Sequence, residues 1–137
     1  PDFSTLRSPG RSKSQSRNSF LELRHILVTA SETGHAAHGE AQRALASEIK
    51  PSNILLRVPS FIAGAIVAAQ TDGVVTLPAN LAHSLAGPLD LTVFKTPIAL
   101  PRIEIAQYWH ERFHRDPAHR WIRSMTFELF ASGSQRS

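Results

Sequence analysis

The chain contains no cysteine, which excludes a disulfide framework and any metal site built on thiolates. Long hydrophobic runs are missing as well. The longest, Phe61-Ile62-Ala63-Gly64-Ala65-Ile66-Val67-Ala68-Ala69, falls well short of the ~20 residues a membrane span needs and reads as a buried helix. The first residues are polar, with no apolar stretch leading to a small-residue cleavage site, so nothing in them suggests export. A cytoplasmic protein with no membrane partner is the expectation. No internal repeat is evident, and 137 residues suffice for one hydrophobic core. The chain does not begin with methionine, which fits a fragment or a processed product.

What is present begins with charge. The formal net charge is +4, and its distribution is uneven. Arg7, Arg11, Lys13 and Arg17 face only Asp2 within the first twenty residues, among Ser4, Ser8, Ser12, Ser14, Ser16, Ser19 and Pro9-Gly10. Such a composition offers little apolar surface to offset the entropy of ordering, so residues 1–19 read as a flexible basic tail. A tail of this kind can hold phosphates without sequence preference. A solvated linker is the commoner outcome, and the basic balance therefore says little about nucleic-acid binding by the folded part.

From Phe20 the pattern alternates between short apolar runs and helical spacing. Arg24 to Thr29 has strand length and precedes the turn-rich Ser31 to Gly34. Glu40 to Ile49 reads as a helix with Ala41, Ala44, Leu45 and Glu48 at helical spacing and Pro51 just beyond it. Asn53 to Val58 is a strand stopped by Pro59, Phe61 to Ala69 a helix, Val74 to Leu77 a strand stopped by Pro78, Asn80 to Ala86 a short helix, and Leu91 to Phe94 a strand. Near-continuous apolar strands separated by helices predict an α/β unit with a parallel sheet covered on both faces. The last third differs. Thr96 to Pro101 is a proline-bounded connector, Ile103 to Trp109 reads as a strand, and Asp116-Pro117 opens a helix as N-cap and first helical residue. Trp121, Ile122, Met125 and Leu129 form its apolar face, Trp109 and Trp121 read as packing anchors, and the end beyond Gly133 reads as mobile.

The stretch from Tyr108 through Trp109-His110, Asp116-Pro117 and Arg120-Trp121-Ile122-Arg123 resembles the closing signature of LysR-type transcriptional regulators. There a tryptophan-histidine pair leaves a strand, and an aspartate-proline step opens a helix carrying arginine-tryptophan-leucine-arginine. His25-Ile26-Leu27-Val28 is similar to the strand that enters the family's second subdomain. Leu56-Arg57-Val58-Pro59-Ser60-Phe61 is similar to the turn lining its effector pocket, and Thr71 to Pro78 to its third strand. The resemblance runs from about Phe20 to Phe130. It implies a parallel-sheet βαβ subdomain of the type II periplasmic-binding-protein-like fold with an incomplete second subdomain. Residues 20–98 would be effector-binding subdomain II, 99–131 the returning strand and last helix of subdomain I, and 132–137 a mobile end. The family's winged helix-turn-helix is absent from these residues.

The resemblance further implies a small-molecule effector, often an aromatic or other carboxylate metabolite, and a homo-oligomer formed through effector domains. DNA would be contacted only through the absent amino-terminal domain. Thr29, His35, Pro59, Ser60 and Phe61 would be this chain's contribution to the effector site. His35 reads equally as a solvent-exposed loop histidine. Ser60 and Phe61 follow a parallel strand, where open α/β sheets bind ligands, but an N-cap serine and a core phenylalanine account for them just as well. Asp72-Gly73 reads as a turn. The implied regulator is no enzyme, and neither a cofactor nor a metal is expected. Two alternatives stay open: a fragment of a free-standing solute-binding protein, and a zinc-dependent hydrolase using His110-Glu111-Arg112-Phe113-His114. The latter spells H-E-x-x-H, which needs both histidines on one helix face and a third ligand. The pattern instead follows a strand-like run and precedes a new helix start, which favours a polar surface loop.

Overall fold

A computed structural model describes residues 2–10, 16–29, 36–102 and 106–133. The chain divides into two compact units, Pro1–Ile103 and Glu104–Ser137, with the division a few residues beyond the expected one at 98/99.

The first unit is built on a five-stranded sheet. Its elements in chain order are β1 (Phe3–Arg7), α1 (Arg17–Leu21), β2 (His25–Val28), α2 (Ala36–Glu48), β3 (Ile54–Val58), α3 (Phe61–Gln70), β4 (Val74–Pro78), α4 (Ala79–Ala86) and β5 (Thr92–Lys95). The strand order is β3-β2-β4-β1-β5. β2 is parallel to both β3 and β4, whereas β1 is antiparallel to both β4 and β5. The α/β class with a parallel-rich sheet holds, and the strands and helices from Arg24 to Phe94 fall close to their expected places.

The expected flexible tail over residues 1–19 does not hold where the structure describes it. Phe3–Arg7 is an inner strand, buried at every position, and Arg17–Leu21 is a helix. Its polar residues are buried because partners meet them. The Thr5 hydroxyl lies 3.0 Å from the hydroxyls of both Thr76 and Thr96, which removes the cost of hiding it from water. Arg7 is also buried, its guanidinium 5.1 Å from the centre of the Phe94 ring, an arrangement in which the ring face attracts the cation. Ser8 then donates to the carbonyls of Ala68 and Thr71 at the end of α3. Residues 11–15 lie outside the described residues.

The period of two along β2 sends Ile26 and Val28 to one face and Leu27 to the other. On the first face Ala65 and Ala68 of α3 pack with Ile26, Val28, Val75, Leu77 and Leu6. Gly64 allows this approach, since a Cβ there would sit 2.8 Å from Cγ2 of Val75. On the second face Leu45 and Ile49, from α2 and the residue after it, pack with Leu27, Phe20 and Phe94. α2 and α3 therefore cover opposite faces.

The second core contains a titratable group. His25 is buried, its ring edge-on to Phe20 at 4.8 Å, and its Nε2 lies 2.8 Å from the Phe20 carbonyl oxygen. Burial disfavours the imidazolium and lowers the His25 pKa below its ordinary value near 6.5, opposed in part by the Phe20 carbonyl. The unfolded chain therefore takes up a proton at higher pH than the folded one. Stability is complete above the ordinary value and is lost as pH falls below it, with a slope approaching about 1.4 kcal/mol per pH unit at most. Thermal unfolding between pH 8 and pH 5 should show this decline, and His25→Phe should flatten it. Equal slopes in the two proteins would remove His25 as the cause.

The second unit consists of a turn, Glu111–Phe113, and helix α5 (Pro117–Gly133). Asp116 caps α5 as expected, its Oδ1 accepting from the His119 amide at 2.9 Å. The strand expected over Ile103 to Trp109 is not present in its described part, residues 106–109, and its first three residues lie outside the description. The expected mobile end is helical through Gly133, and residues 134–137 lie outside the description. Trp109 and Trp121 were expected as core, yet they are 44% and 64% exposed. Among the described residues of this unit a turn and one helix supply no second layer, and Trp121, Ile122, Met125 and Leu129 of α5 are exposed.

Candidate effector crevice

Three parallel strands end side by side in the first unit. From β2 the chain passes through α2 to β3 on one side, then returns through α3 to β4 on the other side of β2. At the carboxyl ends α2 leaves β2 on one face of the sheet, while α3 leaves β3 and α4 leaves β4 on the other. Outside the carboxyl ends of such strands the diverging connections leave a crevice, and open α/β sheets bind ligands there.

The expected site residues lie at these ends. Thr29, one residue past β2, donates its amide to the Val58 carbonyl at 2.8 Å and its hydroxyl to the same oxygen at 3.1 Å. This ties the end of β2 to the end of β3 and brings Thr29 beside Pro59-Ser60. Pro59 and Ser60 are exposed, and Phe61 is half-buried against the α3 face of the core. Ser60 has extended backbone and its Oγ accepts from the Ala63 amide at 3.1 Å, so it is the N-cap of α3. This bond uses an oxygen lone pair and leaves the hydroxyl proton to donate. His35 lies outside the described residues.

One residue at this end escaped the sequence reading. Gln42 on α2 is 6% exposed, and its side chain reaches both diverging strands. Its Oε1 accepts from the Val28 amide at 3.3 Å, and its Nε2 donates to the Thr76 carbonyl at 3.1 Å. In the sequence it stands between Ala41 and Arg43, and no motif there sets it apart.

A cavity of about 200 Å³ lies at the opposite end of the sheet, lined by Arg7, Ser8, Pro9, Leu23, Thr71, Asp72 and Val74. Asp72 there pairs with Arg24 at 3.3 Å. It borders none of the expected site residues.

The H-E-x-x-H segment folds as a cross-braced turn. The Nδ1 atom of His110 accepts from the Arg112 amide, and Nδ1 of His114 accepts from the Trp109 indole. Arg123 donates to the Phe113 and His114 carbonyls and lies 4.4 Å from the Trp109 ring centre. The histidines flank a short 3-10 turn rather than share the face of an α-helix. Among the described residues no group of three or more His, Cys, Asp or Glu could hold a metal ion. The geometry required by zinc peptidases is not formed there.

No family model matches the chain. It is 32% identical over 120 residues to the HTH-type transcriptional regulator LinR of Sphingobium indicum, covering 88% of this chain and 39% of that protein. It is 34% identical over 111 residues to the HTH-type transcriptional activator NahR of Pseudomonas putida, covering 81% of this chain and 36% of that protein. The chain thus spans less than half the length of these curated relatives. Among solved structures it is similar to the regulatory domain of MexT, a transcriptional activator in Pseudomonas aeruginosa. The TM-score is 0.69 at 25% identity, over 90% of this chain and 60% of that one. Among the described residues no helix is long and apolar enough to cross a membrane.

Proposed function

Because the chain belongs to the LysR-type transcriptional regulators, as the carboxy-terminal, effector-binding part of such a protein, we propose that it senses a small carboxylate, aromatic in the reading we favour. The ligand lies at the carboxyl ends of β2 and β3, where Thr29, Pro59, Ser60 and Phe61 meet it and His35 completes the set. Residues 20–98 form the effector-binding subdomain II, and 99–131 belong to subdomain I. The assembled regulator is a cytoplasmic homo-oligomer joined through its effector domains. It reaches DNA through the helix-turn-helix part for which its relatives are named. The ligand acts only through a difference in affinity between two arrangements of the subdomains.

The observation that carries this reading is the divergence of α2 from β2 and of α3 from β3 onto opposite faces of the sheet, with the Thr29 and Ser60 hydroxyls at the same end. Amides at the start of α3 and the free Ser60 proton suit an anionic group. An NMR titration of the chain with benzoate should move the amides of Thr29, Ser60 and Phe61. Ser60→Ala should weaken that binding severalfold. Its cost to stability should stay near the low end of the roughly 0.5–2 kcal/mol range for a lost cap. Unchanged affinity together with a lowered melting temperature would reduce Ser60 to a helix cap.

A further inference from the structure

The ladder between β2 and β4 is short: only His25 with Val74 and Ile26 with Val75 are paired. Beyond them the Thr29 amide turns to β3, so by strand alternation the Val28 amide faces the β4 side. The Gln42 carboxamide occupies that gap. It accepts from Val28 on one strand and donates to the Thr76 carbonyl on the other. A carboxamide carries one acceptor and one donor group on a single plane, as a peptide unit does. It therefore substitutes for a missing piece of backbone between two strands that have separated.

We infer that Gln42 is a positioning residue of the effector crevice, a wedge that sets the separation of β2 and β4 where the crevice opens. This rests on the reading of that crevice as the effector site. The wedge is held from several sides. Ala41 beside it is fully buried with Phe3 and Leu100. The Thr76 residue whose carbonyl it meets is itself fixed through its hydroxyl to Thr5, and Thr5 to Thr96. The spacing at the crevice is thus set by a buried polar layer running from α2 through β4 and β1 to the residue just after β5. Neither leucine nor ionised glutamate can reproduce it. Leucine makes neither bond, and a carboxylate would present a second acceptor to the Thr76 carbonyl. A protonated glutamic acid restores both bonds, because its hydroxyl donates and its carbonyl accepts.

The test uses the 137-residue chain and benzoate as probe, read by NMR shifts and amide exchange. Gln42→Leu should lower protection of the Val28 amide at least tenfold, leave Leu27 and Thr29 protected, and weaken benzoate at least tenfold. Gln42→Glu should match Gln42→Leu at pH 8 and approach the wild-type chain at pH 5 in both readouts, each compared at equal pH. A general loss of stability would not be rescued by acid in this way. Benzoate bound equally by wild type and both variants at both pH values would overturn the role of Gln42 alone. A wild-type chain in which benzoate moves neither Thr29 nor Ser60 would overturn the site reading itself, and the inference with it.

Discussion

Deleting residues 1–8 is expected to leave a chain that no longer unfolds cooperatively. The deletion removes β1, which lies between β4 and β5 and pairs with each over four positions. Leu6, fully buried in the main core, goes with it, as does Phe3 on the opposite face. Point substitution of such a leucine by alanine typically costs 2–5 kcal/mol, roughly, against a total stability of about 5–15 kcal/mol. Loss of the whole strand also strips partners from the Thr76 and Thr96 hydroxyls and from one edge each of β4 and β5. Unsatisfied buried groups of this kind cost roughly 1–3 kcal/mol apiece. No compensating contact forms, because β4 and β5 are neighbours only through β1. Circular dichroism through a thermal ramp should show a broad, non-cooperative loss of signal. A sharp transition within a few degrees of the intact chain would mean that β1 is dispensable and that residues 1–19 do behave as a tail.

That strand is also where the sequence was hardest to interpret, for a physical reason. Phe3-Ser4-Thr5-Leu6-Arg7 holds two apolar residues, and they fall on opposite faces, so no face shows an apolar stripe. What buries Thr5 is two hydroxyl partners 71 and 91 residues away, and no local pattern announces them. The other strands are legible because hydrophobicity alone drives them: Ile26-Leu27-Val28 and Val74-Val75 are buried on both faces of the sheet, and proline or glycine punctuates them. The candidate crevice divides in the same way. The turn Pro59-Ser60-Phe61 is legible because a proline stop, a capping residue and an apolar helix follow in order, while its part in an effector site comes from the family resemblance. Gln42 is not, since its role depends on a gap between two strands that only the folded sheet creates. The tryptophans show the converse. Trp121 sits on a face with helical spacing, but spacing indicates which residues share a face, not that something covers it.

A second large effect is expected at Phe20, the residue at which the strand-and-helix pattern begins. Ser16 caps the short helix α1 by accepting from the Ser19 amide, and α1 delivers Phe20 into the core with no exposed surface. Its ring meets His25 edge-on at 4.8 Å and Phe94 edge-on at 6.4 Å. Around it stand Leu27, Leu45 and Ile49, the residues by which the α2 segment seats on the sheet. Phe20→Ala should therefore destabilise the chain by roughly 3–5 kcal/mol from lost burial and the cavity left behind. The two edge-to-face pairs are included in that figure, each contributing about 0.5–1.5 kcal/mol beyond area. Phe20→Leu keeps most of the volume and loses only the ring geometry, so its cost should be markedly smaller. The Phe20 carbonyl that meets His25 survives both changes, so the pH dependence assigned to His25 should persist in Phe20→Leu. Urea unfolding at pH 7.5 gives the sizes directly, and repetition at pH 5.5 tests the persistence. A Phe20→Ala loss below about 1.5 kcal/mol, under half the low end for such truncations, would mean that α2 seats on the sheet without the Phe20 cluster, leaving the Gln42 wedge as its principal tether.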